Sequence, residues 1–85
     1  HMESLRNIVG PQVMKLRNAK GWSQQQMAAA CQVAGWDVSR GVIARIEGGV
    51  RWVSDFDLIQ LAAVLQTPVG SLFPEEYRHW FSAIA

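Results

Sequence analysis

Cysteine, histidine and long apolar runs are scarce in this 85-residue chain, and each scarcity excludes a class of protein. Cys31 is the single cysteine, so no internal disulfide can form, and its place among apolar residues predicts a buried core residue rather than a redox sensor. No apolar run approaches the roughly 20 residues that cross a bilayer, and no signal-peptide pattern is present. We therefore expect a cytoplasmic protein.

The sequence also lacks the residue groupings of an enzyme or a metal site. His79 is the only histidine beyond position 1, and with Cys31 it forms neither a nucleophile pair nor a set of metal ligands. Asp55 and Asp57 are two positions apart and do not share a helix face, and the helix dipole explains acids at a helix start. Gly48-Gly49 follows a helix, whereas a phosphate-binding loop precedes one. The sequence predicts no enzyme, no cofactor and no metal.

Length and composition indicate one small domain. A chain of 85 residues with 49% hydrophobic residues can form a modest core and gains stability from oligomerisation. We interpret residues 1–6 as the remnant of an expression tag, His1-Met2, followed by a flexible N-terminus. Residues 7–74 are expected to form the domain, and residues 75–85 a C-terminal amphipathic helix.

Capping signals divide the centre of the chain into two short helices joined by a turn. Ser23 to Gln26 is a capping box, so a helix is expected to begin at Gln24 and to stop at Gly35. Trp36-Asp37-Val38 makes the turn. Ser39 then caps a helix from Arg40 to Glu47, which Gly48-Gly49 closes.

Three further helices are expected around this pair. The first starts near Asn7 to Pro11 and runs to about Lys20, the fourth is capped by Ser54, and a short fifth follows Thr67-Pro68. Trp22 and Trp36 are expected to be packing residues. Arg51 and Trp52 carry a plainer alternative, in which they are loop surface and a core plug, respectively. The apolar residues expected to face the core are Val13, Met14 and Leu16 in the first helix, and Leu58, Ile59, Leu61, Ala62 and Leu65 in the fourth.

The helix from Arg40 to Glu47 has two different sides at 100° per residue. One side holds Val42, Ile43 and Ile46, which must be buried, so the opposite side faces outward. The outward residues are Arg40, Gly41, Ala44 and Arg45. Two guanidinium groups can bind guanine or phosphate, and two small residues let the helix axis come close to base edges, so this face suits the DNA major groove.

With these features the sequence resembles the xenobiotic-response-element family of bacterial and phage regulators, the relatives of the lambda repressor and Cro. The resemblance covers roughly residues 8 to 74, with several extra residues around Cys31 to Val38. It rests on the spacing of Met14-x-Leu16-Arg17, Gly21-Trp22-Ser23-Gln24, Met27-Ala28, Ser39-Arg40, Ile43-x-x-Ile46-Glu47, Gly49, Asp57-Leu58, Leu61-Ala62, Leu65 and Leu72-Phe73.

The resemblance implies an all-α, lambda-repressor-like domain of five helices, here with an additional C-terminal helix, that binds operator DNA and regulates transcription, as a repressor in the first instance. It also implies a salt bridge between Arg17 and Glu47. The expected DNA-contact residues are Gln24, Gln25, Ser39, Arg40, Gly41, Ala44, Arg45, Lys20 and Arg51. Two alternatives stay open: Arg40 could pair with Asp37 and brace the turn, and Gln24 could be merely solvated.

Charge is segregated along the chain in a way that fits a polyanion partner, although the net charge is only +1. Leu5 to Ser54 contains seven basic residues and two acidic ones, whereas the stretch from Asp55 onward contains four acids and Arg78. The protein is therefore expected at the nucleoid, with a double-stranded DNA operator as its partner. No small-molecule effector is expected.

The tail allows two interpretations. Tyr77, Trp80, Phe81 and Ile84 recur at helical spacing, so they form an apolar seam that either covers the domain's own core or joins two copies in a homodimer. A dimer would set two recognition helices about 34 Å apart and require a palindromic operator. The alternative function is an antitoxin or protein-interaction module of the same fold, which would hold a partner protein through this apolar helix.

Overall fold

The computed structural model describes the backbone of residues 5–84 and the side chains of residues 5–81. This part of the chain forms five α-helices, two 3₁₀ turns and no strand. The α-helices are α1 (Gly10–Ala19), α2 (Gln24–Val33), α3 (Arg40–Glu47), α4 (Asp55–Leu65) and α5 (His79–Ile84). The 3₁₀ turns are Val69–Leu72 and Glu75–Tyr77. None of the helices in residues 5–84 is long and apolar enough to cross a membrane.

Serine caps fix where three of these helices begin. The hydroxyl oxygens of Ser23, Ser39 and Ser54 accept hydrogen bonds from the backbone N–H three residues further on. Ser23 and Ser54 complete capping boxes with the side chains of Gln26 and Asp57, which accept from the N–H of the capping residue. The predicted starts of α2, α3 and α4 are therefore confirmed.

The core lies where α1, α2, α3 and α4 meet. Its fully buried side chains include Val13 of α1, Met27 and Cys31 of α2, Ile43 and Ile46 of α3, and Leu61 of α4. The apolar side of α3 is buried as expected, and Trp22 and Trp36 pack half-buried against the core. α1 and α2 both contact α3, so the helix that carries the arginine face is held from two sides.

Two expectations and one alternative about the core are wrong. Met14 and Ile59 are largely exposed, because their helices bury narrower stripes than the sequence suggested. Trp52 is not a core plug: its side chain is 69% exposed in the loop between α3 and α4, where Val53 packs on the core instead. With Phe56, which is also exposed, Ile59 leaves an apolar strip along the outside of α4.

The C-terminal segment is not one helix from residue 75. Pro74 opens a 3₁₀ turn, and α-helix begins only at His79. Phe81 folds back onto the domain, since its ring lies 5.2 Å from that of Phe73 and covers Gly70, where a Cβ would approach it to 3.4 Å. Trp80 is 64% exposed. The side chain of Ile84, the last member of the predicted seam, lies outside the described residues.

The N-terminal segment is attached to the domain from residue 5, two residues before the expected boundary. The N–H of Arg6 donates to the carbonyl of Gly49 at 2.7 Å, and Leu5 packs so closely on Gly49 that a Cβ there would clash with it. Gly49 has φ +75°, which glycine adopts without strain. The end of α3 thus provides the docking point for the N-terminal segment.

Candidate nucleic-acid interface

A six-residue connection turns the chain sharply between α2 and α3. Gly35 has φ +94°, and the N–H of Trp36 donates to the carbonyl of Cys31 at 2.9 Å, which ends α2. Val38 is buried, and its carbonyl accepts from the side-chain amide of Gln32 at 2.9 Å. The extra residues around Cys31 to Val38, relative to the family pattern, therefore lie partly at the end of α2 and partly in a turn held by hydrogen bonds. The bounds of α3 are those that the sequence predicted.

The outward face of α3 has the composition that the sequence predicted. Arg40 and Arg45 are exposed, and Gly41 and Ala44 between them are half-exposed. The Nη1 atom of Arg45 lies over Gly41, since a Cβ built there would be 3.4 Å from it. The guanidinium of Arg45 therefore runs back along the helix, over the residue that has no side chain.

Arg17 and Glu47 form a buried ion pair that joins α1 to α3. Arg17 Nε lies 2.6 Å from Glu47 Oε2 and Nη2 lies 3.0 Å from Oε1, so the pair is bidentate. Arg17 Nη1 also donates to the carbonyl of Trp22 at 2.7 Å. The hydrogen bonds that Arg17 donates to Glu47 raise the pKa of Arg17 despite its burial. The expected salt bridge thus ties the start of α2 and the end of α3 to one guanidinium.

Gln24 connects this ion pair to the outward face. Its amide nitrogen donates to Glu47 Oε1 at 3.1 Å, and its carbonyl oxygen accepts from Arg40 Nη1 at 3.2 Å. The interpretation of Gln24 as merely solvated is therefore wrong. Arg40 is hydrogen-bonded to α2, and no ion pair with Asp37 is present in residues 5–81.

A second group of arginines lies at the other end of α3. Arg45 lines an open pocket of about 500 Å³ together with Arg6, Val50, Arg51 and Trp52, and we call this group the arginine pocket. Arg6 lies 6.0 Å above the Trp52 ring. The sequence does not single out Arg6 as a contact residue, because the predicted domain begins at residue 7. The only signal for it was the excess of positive charge before Ser54.

The remaining predicted contact residues are spread out. Ser39 and Gln25 are exposed in the first turns of α3 and α2, where N–H groups lack intrahelical partners. Lys20 is separate from the arginine pocket: its Nζ donates to Gln66 at 2.9 Å and lies 5.1 Å from the Trp22 ring. The structure thus brings Gln24 to Arg40 and Arg51 to Arg45, and leaves Lys20 apart.

Cys31 belongs to the interior and not to any site. The side chain is fully buried, and burial raises the pKa of the thiol to about 11. A thiol with that pKa stays protonated at neutral pH, and protonated thiols are poor nucleophiles. This agrees with the prediction of a core residue.

Two capped helices joined by a sharp turn, with the second presenting an arginine face, define a helix-turn-helix DNA-binding domain. The helix-turn-helix family model matches residues 13–72, and the chain belongs to that family. The predicted xenobiotic-response-element membership and all-α fold are therefore confirmed, and the protein is a DNA-binding transcriptional regulator. The family is one of regulators and not of enzymes.

A solved structure has the same fold. The restriction-modification controller protein C.AhdI from Aeromonas hydrophila matches with a TM-score of 0.66 and 32% sequence identity. The match covers 76% of this chain and 87% of that protein. No curated protein sequence gives a significant match. These similarities favour a transcriptional regulator over an antitoxin or a module that binds only protein.

Proposed function

We propose that the outward face of α3 reads an operator in the major groove. The observation that supports this is the pair of exposed guanidiniums, Arg40 and Arg45, on either side of Gly41 and Ala44. Arg45 extends over the bare backbone of Gly41, so it can turn toward a base edge without meeting a side chain. Ser39, Gln25 and the first-turn N–H groups of α2 would bind the flanking phosphates. A nucleoid location follows from this role.

The test replaces Arg45 with alanine and measures binding to the tightest duplex selected from a random-sequence library. We expect specific binding to weaken by about 1–3 kcal/mol and base preference to relax at one position. Lys15→Ala is the matched control, since Lys15 is exposed on the side of α1 opposite the buried Arg17. Equal loss of specific and random-sequence binding in Arg45→Ala would mean that Arg45 does not read a base.

Lys20 and Arg51 are proposed as phosphate contacts of unequal strength. A phosphate contact weakens all sequences alike and flattens the salt dependence when it is removed. The hydrogen bond from Lys20 to Gln66 has to be exchanged for one to DNA, whereas Arg51 already lines an open basic pocket. We therefore infer that Arg51 contributes more to DNA affinity than Lys20.

We further propose that the regulator binds as a homodimer through the C-terminal segment, with Trp80 as the central contact. Tyr77 is half-buried and Phe81 packs on Phe73, so Trp80 has the most surface left to bury among the three seam residues whose side chains the structure describes. Aromatic residues are enriched at the centres of such interfaces.

Sedimentation of the full chain at tens of micromolar tests the dimer. We expect a dimer that Trp80→Asp converts to a monomer and that Ile59→Asp leaves intact, since Ile59 lies on the separate apolar strip of α4. A wild-type monomer would overturn the proposal. Dissociation by Ile59→Asp alone would place the interface on α4 instead.

The similarity to C.AhdI supports a narrower role, control of restriction-modification genes. The supporting observation is 32% identity over 76% of the chain. Selecting genomic fragments with the purified protein tests it: bound fragments should lie upstream of such genes. Bound fragments confined to unrelated promoters would contradict this role and leave the operator-binding proposal standing.

A further inference from the structure

Three arginines line the arginine pocket, and no acid is among its lining residues. Within residues 5–81, Arg17 and Glu47 are the only pair of opposite charges within 4.0 Å, so none of the three pocket arginines has a carboxylate partner there. The Nε of Arg51 is shielded from solvent and has no hydrogen-bond partner in the described part of the chain. A buried donor without a partner and a group of like charges both favour an anionic ligand.

Hydrogen bonds to the end of α3 hold Arg6 at this pocket. Besides the bond from Arg6 N–H to Gly49, the Asn7 amide donates to the carbonyls of Ile46 at 3.1 Å and Arg51 at 2.8 Å. Its oxygen accepts from the N–H of Gly10 at 2.9 Å. One side chain therefore joins the N-terminal segment, α1, α3 and the following loop, so the backbones of Arg6 and Arg51 keep a fixed spacing.

We propose that Arg6 and Arg51 form a binding site for the DNA sugar-phosphate backbone beside the base-reading face of α3, with Trp52 as the platform that positions Arg6. Arg45 belongs to both surfaces, so the pocket lies at the edge of the face that would enter the major groove. This inference rests on the proposed function of that face. It adds Arg6 to the DNA contacts and assigns a role to the exposed Trp52.

The shape of the pocket favours a phosphate of a long duplex over a free small anion. At about 500 Å³ and open to solvent, the pocket is far larger than a phosphate ion and cannot surround one. The indole of Trp52 presents an apolar surface beside the guanidinium of Arg6, and this combination suits a deoxyribose next to its phosphate.

The test compares Arg6→Gln, Arg6→Lys and the wild type on the selected duplex and on a scrambled one, at about 0.05–0.3 M salt. We expect Arg6→Gln to weaken binding to both duplexes by roughly five- to tenfold at 0.1 M, and to make the slope of log K against log salt shallower by about 0.9. Arg6→Lys keeps the charge and should retain the wild-type slope.

Lys15→Gln is the matched control, because it removes one exposed positive charge away from the pocket and should leave the slope unchanged. An unchanged slope in Arg6→Gln overturns the phosphate site. If Arg45→Ala relaxes base preference in the same series, the reading face still stands. A shallower slope in Arg6→Gln without a change of base preference in Arg45→Ala would support the phosphate site and overturn base reading by Arg45.

A free anion is tested separately by titrating DNA-free protein with inorganic phosphate in a calorimeter. We expect no saturation below about 1 mM, because an open pocket without an enclosing shell binds a small ion weakly. Saturable binding that Arg6→Gln abolishes would assign the pocket to a small anion and overturn the DNA assignment.

Discussion

The arginines of this protein occupy two contrasting environments, the buried ion pair between α1 and α3 and the solvent-exposed arginine pocket. Arg17 is buried to 9% exposure, with two hydrogen bonds to Glu47 and one to a carbonyl. The three arginines that line the arginine pocket have no carboxylate partner in residues 5–81. The buried ion pair holds the helices together. The unpaired positive charges at the surface repel one another in the free protein and favour binding to a polyanion.

The largest expected effect comes from removing one partner of the buried Arg17–Glu47 pair. Arg17→Ala and Glu47→Ala should each reduce the free energy of unfolding by about 2–4 kcal/mol, because each leaves a buried charge without its partner. The double variant should lose less than the sum of the two. Urea unfolding of the four proteins gives the coupling energy. Strict additivity would mean that the pair contributes no coupling in solution.

Ionisation of the buried Cys31 thiol should also be unfavourable in the folded protein, and the pH dependence of stability reports on this. Burial raises its pKa from 9.0 to about 11, so the unfolded thiol ionises first as pH rises. The stability contribution is present below pH 9 and declines between pH 9 and 11. From about pH 7.5 to 9.5 the wild type should lose roughly 1 kcal/mol more than Cys31→Ala. Parallel pH profiles of the two proteins would show that the thiol is solvated.

The smallest expected effect concerns the arginine pocket. Salt screens repulsion between like charges, so the free energy of unfolding should rise with salt by roughly a few tenths of a kcal/mol, and part of this rise should depend on Arg6. Thermal melts of wild type, Arg6→Gln and Lys15→Gln from low to moderate salt measure this. If Arg6→Gln keeps the full rise, the three guanidiniums do not repel each other appreciably.

Local signals in the sequence predicted most of the helix-turn-helix. Serine caps, a capping box and glycine stops act within four residues, and they fixed the starts of α2, α3 and α4. The wheel of α3 separated Ile43 and Ile46 from Arg40 and Arg45 because the helix is short and strongly two-sided. Family resemblance supplied the Arg17–Glu47 pair, which joins residues 30 positions apart.

Contacts between segments that are distant in the sequence could not be predicted from local sequence patterns. Nothing near Arg6 indicates that its N–H meets Gly49, or that Asn7 reaches Ile46 and Arg51. Ile59 reads as core because α4 is apolar on most sides, and only tertiary packing decides which side is covered. The break before His79 depends on how the Pro74 turn and Phe81 pack against the domain.

The hydrogen-bonded series Arg17, Glu47, Gln24 and Arg40 has a consequence for the entropy of binding. Arginine loses considerable rotamer freedom when a complex forms, and each ordered side chain adds to the cost of association. Since Gln24 holds the Arg40 guanidinium from α2, and Glu47 holds Gln24 in turn, part of that ordering is completed when the domain folds. On the proposed interface, Arg40 would therefore meet DNA already ordered by Glu47, a carboxylate that is itself buried.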